Sequence, residues 1–510
     1  MKNKNATNIK PMLNAYPDSM GGHLADIAKL LAEPELKDAF GSFYILPSLY
    51  HSDLDRGFSV IDYGLNEELA IPMDLDALKN EGIELKLDFI LNHASVLSPQ
   101  FKDLLEKGED SEYADFFINW NKFWAGCGEV TDEGYIQPYD KYLKDMFFRK
   151  PGLPLLMVKM PDGSKVPYWN TFYQEVLSDD APHRELMEKT EVPYLGQMDL
   201  NIRSELVWDF YRDTLKTLAG YGAKIVRLDA FAYAPKAPGR TNFLNEPETW
   251  DVLERVRGIA DEYDLALLPE IHAAYSEGIY EKIASRGYMT YDFFLPGLMI
   301  HAIEKGDPAL LAGWAREITD KDIKTVNMLG CHDGIPVLDL KGLLSEEEIH
   351  DLINLIVSRG GYVKDLHGAK NMYYQVNASY YSALGEDDRK MPLARAIQIF
   401  MPGKPQVWYL DLFAGRNDHE AVKRAGEGRH KEINRTNLTF PDIKAALEKD
   451  VVKEQIKLLR LRNSHPAFSA NSRVSVSASG STLTIKWENK KACASLIADL
   501  ADLTYHISQS

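Results

Sequence analysis

Cysteine is scarce in this sequence of 510 residues, which contains Cys127, Cys331 and Cys493 and no other cysteine. An odd number of widely separated cysteines forms no disulfide framework, and none of the spacings is that of a zinc site. Disulfide-rich secreted domains and zinc-finger proteins are therefore excluded. We expect a reduced protein in the cytoplasm.

Basic residues are also in deficit. Lys and Arg number 58 against 76 Asp and Glu, which gives a formal net charge of −18. A negative field of this size repels nucleic acid and anionic lipid, so neither a nucleic acid nor a membrane is an expected partner. The sequence has no apolar run of about 18 residues, and its first residues lack the apolar stretch of a secretory signal.

Short apolar runs alternate with helix-like segments along most of the chain. The runs are rich in β-branched and aromatic residues, which is typical of parallel strands buried on both faces. Segment 204–222 has apolar residues at helical spacing and ends in Gly222, which predicts an amphipathic crossover helix. The repeat predicts an α/β fold, a (β/α)8 TIM barrel, although an open sheet has the same periodicity. The predicted strands lie in 41–47, 85–93, 223–231, 265–272, 289–296, 324–333 and 405–411.

Three parts of the chain interrupt this repeat. Residues 94–197 are rich in aromatic residues and proline and have little periodicity, which predicts an inserted domain after the third strand. A second irregular interval, 334–377, predicts an insertion near the seventh strand. Residues 468–510 have short alternating patterns and predict a small antiparallel C-terminal β-domain. The barrel would then occupy 1–93, 198–333 and 378–467.

Charged and imidazole side chains close four of the predicted strands. In a TIM barrel the chemistry takes place at the carboxyl ends of the strands, so these side chains would converge on one face. A single Asp at such a position is commonly a turn or cap residue, but convergent buried charges imply a polar ligand held between them. The residues are Asp88 with Asn92 and His93, Arg227 with Asp229, Glu270 with His272, and His332 with Asp333.

The segments around these residues carry a family resemblance. DFILNH, VRLDAFAY, LPEIH and LGCHDG resemble, in order and spacing, the four signature regions of the α-amylase superfamily of retaining α-glycoside enzymes, and GQMDLN resembles a fifth region. The segments DLDRGFSVIDY, RKPGLPL, YYQVNASYYSALGEDD, LFAGRND and EINR resemble the sucrose phosphorylase branch of that superfamily. The resemblance covers nearly the whole chain.

The resemblance implies three catalytic roles. Asp229 would be the nucleophile, Glu270 the general acid/base and Asp333 the stabiliser of the transition state. Retention of configuration needs two carboxyl groups about 5–5.5 Å apart, so that one attacks the anomeric carbon while the other protonates the leaving oxygen. The acid has to stay protonated near pH 7, which a dry pocket and a neighbouring anion favour. Arg227, two residues before Asp229 on the same strand face, would hold the nucleophile ionised.

The same resemblance implies a set of binding residues and no cofactor. Many amylases use the residue equivalent to Asn92 to hold calcium, but the phosphorylase branch generally does without a metal, and no cluster of Asp and Asn calls for one here. We expect His93 and His332 to bind sugar hydroxyls, Asp55 and Arg435 to clamp the far side of the glucose, Phe58 and Phe172 to form apolar walls, and Tyr374 and Gln375 to belong to the acceptor side.

Basic residues before Tyr374 distinguish this sequence from the plain sucrose phosphorylases, which carry small and nearly neutral residues there. Lys364, His367 and Lys370 stand out in a chain of charge −18 and suggest an acceptor with its own negative charge. Fructose 6-phosphate fits this description and would be held by His367, Lys370 and the pair Arg149-Lys150. An ordinary solvent-exposed loop surface would have the same composition.

The sequence thus predicts a phosphorylase of the glycosyltransferase type. It would transfer α-glucosyl from sucrose 6F-phosphate, or from sucrose, to inorganic phosphate, giving α-D-glucose 1-phosphate and fructose 6-phosphate or fructose. The alternatives are a glucosylglycerate or glucosylglycerol phosphorylase, an α-glucosidase or transglucosidase of the same fold, and an inactive carbohydrate-binding relative, although the three carboxylates argue against the last. The expected partners are a disaccharide and phosphate. The expected state is a monomer or a homodimer, with exposed aromatic residues in 110–150 as a candidate interface.

Overall fold

The computed structural model describes residues 7–146, 148, 152–172, 174–176, 194–366, 372–426 and 429–510. Only the backbone is described for 174–176, 194–195, 364–366 and 372–374.

The strands are numbered along the chain. They are β1 (Met12–Ala15), β2 (Ser42–Ile45), β3 (Tyr50–Leu54), β4 (Ser59–Leu65), β5 (Glu84–Ile90), β6 (His93–Ser95), β7 (Gly128–Val130), β8 (Ile136–Pro138), β9 (Leu155–Lys159), β10 (Lys165–Trp169), β11 (Gln174–Val176), β12 (Tyr194–Asp199), β13 (Ala223–Asp229), β14 (Ala266–Pro269), β15 (Thr290–Asp292), β16 (Thr325–Met328), β17 (Ile335–Pro336), β18 (Tyr362–Leu366), β19 (Met372–Asn377), β20 (Lys404–Trp408), β21 (Arg473–Ser479), β22 (Thr482–Glu488), β23 (Cys493–Asp499) and β24 (Thr504–Gln509).

The helices are numbered in the same way. They are α1 (Leu24–Ala32), α2 (Pro72–Asn80), α3 (Pro99–Lys107), α4 (Trp120–Trp124), α5 (Asp140–Leu143), α6 (Glu205–Gly220), α7 (Glu248–Glu262), α8 (Ile279–Ser285), α9 (Leu295–Lys305), α10 (Ala309–Asp320), α11 (Glu346–Ser358), α12 (Tyr380–Ala383), α13 (Lys390–Phe400), α14 (Tyr409–Leu412), α15 (His419–Ala425), α16 (Phe440–Leu447) and α17 (Asp450–Ser464). No helix in the described ranges is both long enough and apolar enough to cross a membrane.

Eight parallel strands form a barrel in which each strand lies beside the next one along the chain. Hydrogen-bonded ladders connect neighbouring strands all the way around the sheet, from β14 to β15. β14 and β15 also lie against each other, which closes the barrel. The predicted TIM barrel is therefore confirmed. The barrel strands are β1, β2, β5, β13, β14, β15, β16 and β20.

The first barrel strand was not among the predicted ones. β1 has four residues, all of them buried, and one of these is the polar Asn14. A run of this length has too little pattern to be separated from a loop. The predicted crossover helix is present as α6, whose buried side chains include Val207, Tyr211 and Leu218 along one stripe.

The aromatic residues that follow β6 form a separate small core. Trp120 packs on Trp169 with ring centroids 4.8 Å apart, and Trp124 stacks on Trp169 at 6.1 Å. All three side chains are buried, together with Ile118 and Ile136. The expectation of exposed aromatic residues in 110–150 is therefore wrong for Trp120 and Trp124, because they pack in this core instead of facing solvent.

The last four strands form an antiparallel sheet that packs on the barrel, as predicted for the C-terminus. The buried Arg462 of α17 lies where the sheet and the barrel meet, with its guanidinium 4.6 Å from the Phe468 ring and 4.4 Å from the Trp487 ring. It donates to the carbonyl oxygens of Ile399, at 2.9 Å, and of Gly403, at 2.6 Å. Arg462 therefore joins α13, α17 and the terminal sheet.

Replacing Arg462 by Ala should destabilise the protein by about 2–4 kcal/mol, because the change leaves two buried carbonyls unpaired and a cavity between two rings. The loss in the free energy of unfolding is measured from the shift of the urea unfolding curve, followed by tryptophan fluorescence. Lys457→Ala on the same helix, 77% exposed, is the control and should stay within about 0.5 kcal/mol of the parent protein. Equal curves for the two variants would contradict this account.

Candidate active site

The carboxyl ends of neighbouring barrel strands carry the three predicted catalytic side chains. Asp229 is the last residue of β13, and Glu270 directly follows β14, the next strand in the barrel. Asp333 lies in the loop between β16 and β17. The carboxylate of Asp333 interacts electrostatically with both Asp229 and Glu270, so the structure brings the three groups together.

One guanidinium joins the carboxylates of three strands. Arg227, with a side chain 2% exposed, places Nη1 2.5 Å from Asp88 Oδ1. Its Nη2 lies 3.0 Å from Asp229 Oδ1 and 2.7 Å from Glu270 Oε2. Because these two oxygens share one nitrogen, they cannot be farther apart than the two distances together. That limit is shorter than the ~6.5–9.5 Å separation of an inverting pair and compatible with a retaining one.

The pKa values of the two carboxyl groups in this pair shift in opposite directions. Burial and the charge of Glu270 raise the pKa of Asp229 well above its usual value, although Arg227 opposes them. Burial also acts on Glu270, but Arg227 and His272 outweigh it and lower the pKa of that carboxyl. Because the two groups interact with each other, they titrate as a pair.

His272 forms a link between Glu270 and a second buried acid. Its Nδ1 lies 3.2 Å from Asp339 Oδ2, its Nε2 lies 3.7 Å from Glu270 Oε1, and its ring stacks on Phe293 at 3.8 Å. Burial lowers the pKa of His272, but the carboxylates of Asp339 and Glu270 outweigh this and raise it to about 9. The residue next to the predicted acid is thus an imidazolium at neutral pH.

Asp333 is surrounded by basic groups. Lys431 Nζ is in direct contact with Asp333 Oδ1, His332 Nε2 lies 3.3 Å from Oδ2, and Arg435 Nη2 lies 3.9 Å from Oδ1. Burial opposes ionisation, but His332, Lys431 and Arg435 hold the pKa of Asp333 well below its usual value. Gln375 and Asn377 fix its backbone by donating to its carbonyl oxygen, at 2.8 and 2.6 Å.

The predicted clamp residues meet at the same place. Arg435 Nη1 lies 3.7 Å from Asp55 Oδ1, and Lys431 Nζ lies 4.0 Å from Asp55 Oδ2. The Phe58 ring stacks on the His332 ring, with centroids 5.0 Å apart and planes 12° from parallel. These side chains therefore form one connected group together with Asp333.

The other two predicted sugar-binding residues are connected to this group through the Phe58 backbone. His93 Nε2 contacts the carbonyl oxygen of Phe58 at 3.1 Å, and burial lowers the pKa of His93 to about 4, so its ring is neutral. Phe172 packs against His93 at 4.9 Å and Tyr233 at 5.2 Å between ring centroids.

Several buried polar atoms in and beside this group lack a hydrogen-bond partner among the described residues. They include the Tyr16 hydroxyl, His332 Nδ1 and Arg435 Nη2. Buried polar groups in proteins are normally paired, with water or a ligand where no protein group is available. The site is therefore suited to a ligand with several hydroxyl groups.

A buried lysine contacts Asn92, the residue considered above as a possible calcium ligand. Lys236 Nζ lies 2.7 Å from Asp199 Oδ2 and donates to Asn92 Oδ1 at 3.2 Å. All three side chains are buried, and Thr171 donates to Asp199 from the inserted segment through its amide at 2.8 Å. Within the described ranges, no group of three or more His, Cys, Asp and Glu side chains could hold a metal ion.

The predicted acceptor residues are only partly described. Gln375 is buried and its amide binds the Asp333 backbone, so it supports Asp333. Tyr374 lies on β19 and Lys364 on β18, and only their backbones are described. Arg149, Lys150, His367 and Lys370 lie outside the described residues.

Two residues of the site, Lys431 and Asp339, were missed by the sequence reasoning. Lys431 directly precedes the EINR motif, which ends at Arg435. Including the residue before the motif would have identified it. Asp339 follows Asp333 in the chain but belongs to no recognised motif, and its contact with His272 joins residues far apart in sequence. No local pattern could have found it.

Known proteins resemble this chain along nearly its whole length. A sucrose 6F-phosphate phosphorylase from Ilumatobacter coccineus is 54% identical over 506 residues, which are 98% of this chain and 95% of the relative. The chain belongs to the sucrose phosphorylase branch of the α-amylase superfamily. A sucrose phosphorylase from Streptococcus mutans is 36% identical over 98% of each chain. No protein-family model matches the sequence.

A solved structure of the same branch has the same fold. The crystal structure of a sucrose 6F-phosphate phosphorylase from Thermoanaerobacter thermosaccharolyticum superposes with a TM-score of 0.87 at 34% sequence identity. The match covers 99% of this chain and 96% of that one. The resemblance read from the sequence motifs is therefore confirmed.

The raised pKa of His272 gives a prediction for its titration. The imidazolium contributes stability that is fully present below about pH 6.5, the ordinary value, and is lost as the pH rises through about 9. Asp339→Asn removes the neighbouring carboxylate, so the pKa of His272 should fall toward 6.5. The pKa of His272 is measured by an NMR titration of the protein with ¹³C-labelled histidine. The His272 signal is the one that is missing from the spectrum of His272→Gln.

The matched control for this titration is Asp320→Asn, which changes an exposed carboxylate at the end of α10. It should leave the His272 titration where it is in the parent protein. A His272 signal that titrates at the same pH with and without Asp339 would contradict the link.

Proposed function

We propose that this protein is a retaining phosphorylase that transfers α-glucosyl from sucrose 6F-phosphate to inorganic phosphate. The products are α-D-glucose 1-phosphate and fructose 6-phosphate. We choose this donor because of the sequence identities to known proteins. The chain is 54% identical to a sucrose 6F-phosphate phosphorylase over nearly its full length and 36% identical to a sucrose phosphorylase. Sucrose itself is the second candidate donor, because that lower identity still extends over 98% of both chains.

The proposed reaction is a double displacement. An oxygen of Asp229 attacks the anomeric carbon while Glu270 gives its proton to the leaving oxygen, and a β-glucosyl ester of Asp229 forms. A phosphate oxygen then attacks the same carbon and gives its proton to the Glu270 carboxylate, while the ester bond to Asp229 breaks. Two inversions give net retention. The short separation of the two carboxyl groups on Arg227 supports this sequence of steps.

The first step needs a proton on Glu270. When the donor enters and excludes water, the drier site favours the neutral form of a carboxyl group. The Asp229 and Glu270 oxygens lie on one Arg227 nitrogen, so a proton has only a short way to move between them. Once Asp229 is esterified it has no charge, and Glu270 is then the carboxylate that Arg227 and His272 stabilise.

The basic groups of the cavity support an anionic second substrate. The chain has a formal charge of −18, yet the side chains of Arg227, Lys431 and Arg435 all face this site. A phosphate dianion approaching through the negative field of the protein needs such a local concentration of positive charge. We propose that Arg149, Lys150, His367 and Lys370 extend it toward phosphate and the fructose 6-phosphate group.

The remaining roles are part of the same proposal. We propose that Asp55 and Arg435 bind the far side of the glucose, that Phe58 and Phe172 form its apolar walls, that His93 and His332 bind its hydroxyls, and that Tyr374 and Gln375 belong to the acceptor side. The orphan polar atoms of His332 and Arg435 support this placement. The domain boundaries, the cytoplasmic location and the monomeric or homodimeric state stay predictions.

Product analysis tests the choice of substrates. Purified protein supplied with sucrose 6F-phosphate should release α-D-glucose 1-phosphate only when inorganic phosphate is present. In the reverse direction, fructose 6-phosphate should release phosphate from α-D-glucose 1-phosphate at least tenfold faster than fructose, glycerate, glycerol or glucose does. Glucose release that ignores phosphate would contradict the phosphorylase, and a preference for fructose would select sucrose as the donor.

Asp229→Asn should lower kcat roughly 10⁴-fold or more, because an amide cannot form the glucosyl ester. The measurement is release of fructose 6-phosphate, with circular dichroism to show that the fold is intact. Asp209→Asn, on the exposed face of α6, is the control and should keep the parent rate. Near-normal turnover by the Asp229 variant would refute the proposed mechanism.

A further inference from the structure

The turn that carries Asp55 has an unusual backbone. Asp55, Arg56 and Gly57 connect β3 to β4, and all three have positive φ angles, of 47°, 53° and 111°. Side chains with a Cβ rarely adopt this region, and such strain persists only where the surroundings enforce it. A Cβ at Gly57 would lie 2.1 Å from the Ser48 amide nitrogen, so the turn is also packed tightly against the chain before β3.

Arg56 holds this turn against two other parts of the chain. Its Nη2 lies 3.1 and 3.0 Å from the two carboxylate oxygens of Asp18, beyond the end of β1. Its Nη1 donates to the carbonyl oxygen of Arg435 at 2.8 Å, and Nη2 also contacts the side chain of Asn437. Asn437 in turn donates to Asp18 at 2.7 Å. The fixed fork of a guanidinium suits this bridging, which an ammonium would not reproduce.

The same contacts determine where Arg435 lies. The Arg56 and Arg435 guanidiniums lie over one ring, that of Tyr16, at 4.2 and 5.7 Å from its centroid. Two like charges repel, but the face of the ring attracts both, and Asp18 and Asp55 each lie beside one of them. The Arg435 side chain is 2% exposed, so it has little room to find another position.

We propose that Arg56, anchored by Asp18, is a positioning residue that fixes Asp55 and Arg435 relative to each other on the glucose side of the site. The inference rests on the proposed function, since it takes this pair as the clamp for the glucosyl unit. Arg56 itself touches the Arg435 backbone and lies next to Asp55 in the chain, so it acts through these two residues. Its loss would let the strained turn relax and separate the clamp.

This role has a kinetic signature that depends only on the glucosyl unit. Donors that share the glucosyl group but differ in the leaving group should lose the same factor in kcat/KM. A residue on the acceptor side would instead affect each leaving group differently. A merely structural residue would lower the amount of folded enzyme, which reduces kcat and leaves KM unchanged.

The experiment compares Arg56→Lys with the parent protein on sucrose 6F-phosphate, α-D-glucose 1-phosphate and α-glucosyl fluoride. We expect kcat/KM to fall about 10- to 100-fold on all three, with factors that agree within about threefold and with a raised KM. Asp18→Asn should give the same pattern with a smaller loss, and the double variant should lose little more than Arg56→Lys alone, because both changes break one contact.

The matched control is Arg389→Lys, an exposed arginine that pairs with Asp387 at 3.2 Å and should stay within about twofold of the parent protein. Melting temperatures show whether the variants fold, and if Arg56→Lys does not, Asp18→Asn carries the test. Three results would overturn the proposal. The kcat/KM of the Arg56 variant could stay within twofold of the parent value, the loss in kcat/KM could differ among the three donors, or the loss could be confined to kcat with KM unchanged.

Fluoride release keeps this test separate from the proposed function. It needs neither phosphate nor fructose 6-phosphate, so a parent protein that releases fluoride but performs no phosphorolysis would contradict the proposed function while leaving the positioning role testable.

Discussion

The site depends on a single buried guanidinium. Arg227 binds Asp88, Asp229 and Glu270 at once, and each of these carboxylates comes from a different strand of the barrel. Three negative charges at this spacing would repel one another strongly in a dry interior, and the shared cation offsets that repulsion. The same contact limits the distance between the Asp229 and Glu270 carboxyl groups.

Around this centre the protein gathers buried cations inside a molecule of negative net charge. Lys431, Arg435 and the imidazolium of His272 each pair with an acid, so none is an uncompensated buried charge. Pairing fixes the position of each group, while the donors that remain unpaired are available to a ligand. The arrangement is suited to binding a polar sugar and an anion in turn, which a uniformly negative surface would not allow.

The sequence alone predicted much of this and failed where the cause was not local. Asp229, Glu270 and Asp333 lie in motifs at strand ends, where a continuous apolar run and its last polar residue are visible along the chain. The sequence did not predict β1, because four buried residues make no recognisable pattern. It did not predict Asp339 as a site residue, because the partner of Asp339 is distant in sequence. The opposite pKa shifts of Asp229 and Glu270 depend on the field of several charges, and the burial of the tryptophans after β6 depends on β10. Neither can be read from spacing.

Lys236 has a consequence for the joint between the barrel and the inserted segment. Its ammonium lies between Asn92 and Asp199 and neutralises an acid that also holds Thr171. Because this cation is covalently part of the polypeptide, its occupancy cannot vary with the ionic composition of the surroundings. Phe172, the predicted apolar wall, follows Thr171 in the chain, so this part of the inserted segment is held by the chain's own chemistry, at any level of free ions and in the presence of a chelator.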